Sequence, residues 1–210
     1  IEHAGRVPAV PGDLAGLTLA GCGDLTRVEF VQSHATRGDG IAVLGGSVSL
    51  RNLVATANGD DGLFWAGGWQ GRAQFVIVMQ YGGPAVGGRG IQGLNAEDDP
   101  DAEPRSDPLI FNATLVGPPS DASTSELEGL LLHAGTAGRV QNSLVFGFRE
   151  ACLRMSDEAT VASYASGTPL SESILDACGE DGTEYLHSEI PTDLADRLGA
   201  ANRLGEATGV

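Results

Sequence analysis

The chain alternates short apolar runs with clusters of glycine, asparagine and aspartate. Runs of this length, bounded by turn-forming residues, predict strands joined by tight turns. A period is visible on direct comparison. Leu25–Gly46 (LTRVEFVQSHATRGDGIAVLGG) aligns without a gap on Ser47–Gly68 (SVSLRNLVATANGDDGLFWAGG) over 22 residues. Asp39-Gly40-Ile41 falls on Asp61-Gly62-Leu63, and Gly45-Gly46 falls on Gly67-Gly68. Each copy reads as strand, turn, strand, turn.

The unit recurs with insertions. Ala73–Tyr81 and Gly88–Ile91 form a third copy, Leu109–Gly117 and Glu128–Leu132 a fourth, and Val140–Phe148 and Glu150–Leu153 a fifth. Leu170–Cys178 with Asp181-Gly182 suggests a sixth. A unit this short cannot bury its apolar side alone, so the copies must stack. The pattern predicts an all-β parallel β-helix of about six coils, with neighbouring coils about 4.8 Å apart. The polar segments Asn95–Pro108 and Pro118–Ser125 read as loops leaving one side of the rod. Near the end, Pro191 and Thr192 precede Asp193–Leu198, which predicts a short capped helix across the rod or closing it. Residues 1–185 are therefore assigned to the β-helix and residues 186–210 to a C-terminal segment.

Stacking converts equal positions in successive copies into columns. One column reads Asp39, Asp61, Arg89, Glu128, Glu150 and Asp181; the next reads Gly40, Gly62, Gly90, Gly129 and Ala151. The third, Ile41, Leu63, Ile91, Leu130 and Cys152, should face the interior. Arg89 falls between Asp61 and Glu128 as a charge sandwich. Asp39 and Asp61 have no such mediator. Three readings of them stay open: solvated turn-capping aspartates, a cation site such as Ca²⁺ completed by Asp60, or a catalytic carboxylate pair acting on glycosides. Glu97, Asp98, Asp99 and Asp101 form a second acidic stretch with cation-binding composition. Asn52, Asn112 and Asn142, continued by Glu172, predict a structural amide ladder. Period-2 alternation turns Phe64 outward and Trp65 inward. Trp69 lies in the Gly67–Gly71 turn, where it either stands exposed or covers the rod and packs a loop. Phe64 and Trp69 are thus candidate platforms for sugar rings. His34 and His133 fall at different column positions and make no ligand set.

Composition narrows the functions. Thirty-one glycines and only 5% aromatic residues fit many turns and short strands. The formal charge is −16 and all twelve basic residues are arginines. Nucleic-acid binding requires basic patches and is set aside; anionic membranes and anionic polysaccharides are poor partners on the same ground. Cys22, Cys152 and Cys178 show no metal-ligand spacing. Either Cys152 and Cys178 pair in an oxidising compartment, or all three are small buried thiols. No apolar stretch approaches the roughly 20 residues of a membrane-spanning helix. The chain opens at Ile1 without a methionine and reads as a processed or excised piece.

The runs GLTLAGCGDLTRVEFVQSH and GDGIAVLGGSVSLRNLV, then Pro104–Pro118 and Glu128–Phe148, resemble a group of bacterial secreted and envelope proteins. These have pectate-lyase-like parallel β-helix repeats and are often labelled lipoprotein or hypothetical. The resemblance covers roughly residues 1–180. It implies a right-handed β-helix with Ile1–Gly5 in the middle of a coil and an extracellular or cell-surface location, and brings no catalytic residues with it. The expected function is a non-catalytic structural or adhesive module. Its open coil ends would stack on a second copy or another β-helix segment. The alternative is a carbohydrate-active enzyme or carbohydrate-binding β-helix; an enzyme would use Asp39, Asp60 and Asp61. A lyase is disfavoured, since no lysine is present to take the substrate proton. No cofactor is expected other than calcium.

Overall fold

The computed structural model describes residues 1–5, 14–81, 87–118 and 128–205. Its strands are β1 (Leu17–Ala20), β2 (Arg27–His34), β3 (Ile41–Leu44), β4 (Ser49–Thr56), β5 (Leu63–Ala66), β6 (Arg72–Met79), β7 (Ile91–Leu94) and β8 (Leu109–Val116). There follow β9 (Glu128–His133), β10 (Arg139–Gln141), β11 (Leu144–Phe146), β12 (Ala151–Met155), α1 (Glu158–Ser163), β13 (Leu170–Ser171), β14 (Ile174–Asp176), α2 (Thr192–Ala201) and β15 (Arg203–Leu204). One sheet runs β1-β3-β5-β7-β9-β12 and the other β15-β14-β11-β8-β6-β4-β2, with β10 and β13 continuing the second sheet beside β8. The strands pair in parallel, coil on coil: this is the expected right-handed parallel β-helix. Ile1–Gly5 belongs to the stack, since Glu2 bridges His34 in parallel.

The eight-residue strands β2, β4, β6 and β8 each bend at one residue held at left-handed φ, and a residue of the same kind separates β10 from β11 and β13 from β14. These residues are Phe30, Asn52, Phe75, Asn112, Asn142 and Glu172, with φ between 50° and 58°. The bend gives every coil three sides. The amide ladder is shorter than expected. Asn142 Nδ2 donates to Asn112 Oδ1 at 2.6 Å, but Phe75 stands between Asn52 and Asn112 in the register. Asn52 therefore has a phenyl ring on either side of it along the stack, not another amide.

The interior column holds through Ile41, Leu63, Ile91 and Leu130. At the fifth copy it shifts by one residue. Leu130 faces Leu153 and Glu128 faces Ala151, so Glu150 drops out of the charged column and Cys152 out of the interior line. The corner before β12 holds one residue more than the repeat count allows. The next coil bridges Leu153 to Leu186, which brings Glu184 rather than Asp181 into line. Asp181 instead builds a local turn, accepting from Thr183 N at 3.0 Å and Thr183 Oγ1 at 2.6 Å.

The core is one continuous cluster along the stack. Trp65 and Trp69 are both fully buried, with ring centroids 6.2 Å apart. Their indole nitrogens donate to Thr136 Oγ1 at 3.0 Å and to the Val48 carbonyl at 3.1 Å, which satisfies the polar edge of each ring. Of the two placements open to Trp69, packing under a loop is the one found: the Asn95–Pro108 insertion folds back over the Gly67–Gly71 turn. Asp107 N donates to the Trp69 carbonyl at 3.0 Å, and Gly68 N donates to Ser106 Oγ at 2.9 Å. Buried Asn95 ties the loop together through bonds to Pro100 O, Ala102 O and Ser106 N. The second insertion, apart from Pro118, lies outside the described residues.

Cys152 and Cys178 form a disulfide across 26 residues. By loop-closure entropy, a loop of that size stabilises the fold by about 3–4 kcal/mol. Cys22 is free. Helix α1 is an addition to the elements that the repeat predicts. Asp157 caps it, its side chain accepting from Thr160 N. In α2 Thr192 lies within the helix and makes no side-chain cap bond. The helix is held by burial instead: Leu194 and Leu198 join the core that contains Leu170 and Leu175, and β15 then adds a strand to β14.

Trp65 lies directly over Gly93 of the next coil. A Cβ on Gly93 would fall among Trp65 Cζ2 and Cε2, and the ring has no room to retreat. We expect Gly93→Ala to lower stability by about 1–3 kcal/mol, the cost of overpacking a filled core. Urea denaturation of the variant beside the parent protein checks it.

Candidate functional site

The candidate site is the corner before the first-sheet strands. Gly40 sits there because a side chain would strike the Gly62 carbonyl of the next coil and Asn58 Nδ2. Its N–H donates to Asp61 O at 2.7 Å, which locks Asp39 onto Asp61. Each carboxylate then caps the coil beyond its own. Asp39 Oδ1 accepts from Asp61 N at 3.2 Å, and Asp61 Oδ1 accepts from Arg89 N at 2.9 Å. The aspartates are thus turn caps, as one of the three readings held, but Asp61 is fully buried rather than solvated.

The charge sandwich is present. Arg89 Nη1 lies 3.8 Å from Asp61 Oδ1, and Arg89 Nε lies 3.1 Å from Glu128 Oε2. Glu128 is buried and also takes Arg154 Nη1 at 3.1 Å. Arg154 further reaches Glu150 at 3.2 Å and Glu189 at 3.1 Å. Glu150, although out of the column, remains in the network.

Asp39, Asp60 and Asp61 each offer an oxygen within 4.8 Å of the others. Burial, then the Asp60 charge, push the Asp39 carboxyl up to about 7, against the pull of its bond from the Asp61 N–H. Burial also raises Asp61 well above the usual carboxylate range, with Asp60 and Asp39 adding to it and Arg89 opposing. The Glu97–Asp101 stretch does not converge in this way. Glu97 lies 3.7 Å from His133 Nδ1 and Asp101 2.8 Å from Arg105 Nη2. Among the described residues only the Asp39-Asp60-Asp61 group has cation-binding proximity.

Neither proposed sugar platform is an open ring. Trp69 is buried, and Phe64 is half-buried on β5 beside Gln92. The exposed aromatics stand elsewhere. Phe30 and Phe75, at the bends of β2 and β6, are 79% and 41% exposed. They border a cleft of about 520 Å³ together with Asn52, Asn112, Val31 and Ile77. A signal for them was present in the repeat: Phe30 falls on Asn52 in the 22-residue alignment, a bulky residue where a turn former is wanted.

Parallel coils in two stacked sheets, with a one-residue bend in the second-sheet strands, make this a parallel β-helix. Residues 1–193 match the family described as the pectate-lyase-like beta helix domain, and the chain belongs to that family. No curated protein and no solved structure matches the chain. Among the described residues no helix is long and apolar enough to cross a membrane.

The raised carboxyls carry a sign. Between about pH 4 and pH 7 folded Asp39 retains a proton that the unfolded chain has released, so its contribution to stability falls as pH rises. The fall is at most about 1.4 kcal/mol per pH unit for each retained proton. Asp39→Asn keeps an acceptor oxygen for the Asp61 N–H and removes the titration. In chelator, urea denaturation at about pH 5 and pH 8 should show parent minus variant stability declining with pH. A difference that rises instead would place the Asp39 carboxyl below its ordinary range.

Proposed function

We propose that this β-helix is a non-catalytic structural and adhesive module working outside the cell, with the cleft at the strand bend as its contact surface. The observation that carries this reading is the backbone at Phe30 and Phe75. Both hold φ near 57°, a conformation that costs a residue with a side chain about 1–2 kcal/mol and that asparagine tolerates better. Phe30 recovers little of that cost by burial. Bulky residues kept in strained, exposed positions are retained for something other than stability. The cleft alternates phenyl rings with Asn52 and Asn112 along the stack, offering apolar faces and amide donors in turn. That surface suits an uncharged polysaccharide, whose rings present C–H faces and hydroxyl edges. The disulfide supports an oxidising, extracellular setting.

A second reading has one specific observation in its favour. Asp39, held to about 7 beside the exposed Asp60, has the protonation a general acid needs near neutrality. A carbohydrate hydrolase built on this corner would work through Asp39 and Asp60, since Asp61 is closed to any substrate.

Phe30→Asn with Phe75→Asn separates the readings. The double variant should melt no lower than the parent, because relieved strain offsets the lost ring contacts, including Arg51 over the Phe75 ring at 5.3 Å. It should lose retention on immobilised neutral polysaccharides by about tenfold or more, the weight of two aromatic contacts. Assays of the same polysaccharides for reducing ends and unsaturated products should stay blank. Unchanged retention would remove the cleft from the proposal; product formation abolished by Asp60→Asn would favour the hydrolase.

A further inference from the structure

We propose that Asp39, Asp60 and Asp61 together bind one divalent cation of the hard, oxygen-seeking class, for which calcium is the probe. An acidic cluster alone does not make a site, but here a separate observation points to an occupant. Asp61 is fully buried, and its Oδ2 has no hydrogen-bond partner among the described residues. A buried carboxylate oxygen left without a donor costs about 1–3 kcal/mol or more. The other oxygen, Oδ1, is already engaged by the Arg89 N–H and lies near its guanidinium. The open valence of Asp61 is therefore Oδ2.

Geometry fits one ion between coils. Asp39 and Asp61 occupy equal positions of consecutive coils, about 5 Å apart along the stack. Calcium–oxygen bonds of about 2.3–2.6 Å let a single ion span oxygens up to roughly that distance, and the three aspartates offer oxygens within 4.8 Å of one another. Exposure is graded along the group: Asp60 is exposed, Asp39 intermediate and Asp61 buried. An ion can enter past Asp60 and be held deepest by Asp61, with water completing its shell. The local charge favours a cation, because Arg89 is shared with buried Glu128. The same guanidinium limits affinity, and we expect a Kd on the order of 10⁻⁴ M. The ion would tie two coils across the corner where their carboxylates otherwise repel.

Titration calorimetry of the chelator-treated chain with Ca²⁺, paired with melting curves, tests this. One ion per chain is expected, with a melting temperature that climbs with Ca²⁺ concentration by mass action. Asp61→Asn and, should that variant fail to fold, Asp60→Asn at the exposed edge should each weaken binding at least about tenfold. Glu97→Gln, in the unconverged acidic loop, should leave it unchanged. Absence of both heat and melting shift overturns the proposal and leaves a proton as the occupant of Oδ2. Binding that survives Asp60→Asn and Asp61→Asn, or that is lost with Glu97→Gln, places the ion elsewhere and overturns it equally.

Discussion

The parallel backbone ladder between one coil and the next sets every other feature of this protein. A residue in a stacked coil has no freedom to choose its neighbours: the same position one coil up and one coil down lies about 5 Å away. Apolar positions thereby become a continuous core, glycines become shared corners, and charges become columns. A one-residue slip would exchange inside for outside along a whole strand. Sequence and structure are bound together chiefly through register, and the side-chain interactions that fix register matter more than their individual energies suggest.

Two departures from the demands of stacking stand on different corners of the coil. Before the first-sheet strands, carboxylates are buried at a spacing where they repel. At the bend of the second-sheet strands, phenyl rings occupy a backbone conformation suited to asparagine. The first departure is partly compensated within the stack, since Asp39 and Asp61 each receive an N–H from the following coil. The second has no such compensation at Phe30, which lies largely in solvent. Buried acid and exposed aromatic are both costly, and a fold that only needed to stack would contain neither.

Register explains how much could be read from the chain alone. Between Leu25 and Gly68 two copies match without a gap, so the Asp39–Asp61 pairing and the interior line Ile41–Leu63 follow from counting. The count carries through Arg89 and Glu128 because Gly90 and Gly129 mark the corner in each copy. It fails at Glu150, where Ala151 resembles the small corner residue but the turn is one residue longer. Trp69 stays open between its two placements for another reason. Its turn is covered by a loop more than thirty residues later, and no local pattern reports that contact. Helix α1 is a single capped turn and a half, too short for apolar periodicity to show. Convergence of Asp60 with its neighbours was legible; the burial of Asp61 and the isolation of its Oδ2 were not, since both depend on packing around the corner.

The spacing along the charged column has a consequence for how this chain can change. Twenty-two residues separate Asp39 from Asp61, 28 separate Asp61 from Arg89 and 39 separate Arg89 from Glu128, yet the contacts step evenly from coil to coil. The additional residues enter before or after the second-sheet strand of each coil, in segments such as 80–88, 95–108 and 117–127. None enters at the bend, which stays a single left-handed residue from Phe30 to Glu172. Two corners of the coil are open to lengthening and the third is closed. New loops, and the new surfaces they bring, can accumulate on those two edges of the rod, while the bend side keeps one fixed residue spacing through every coil.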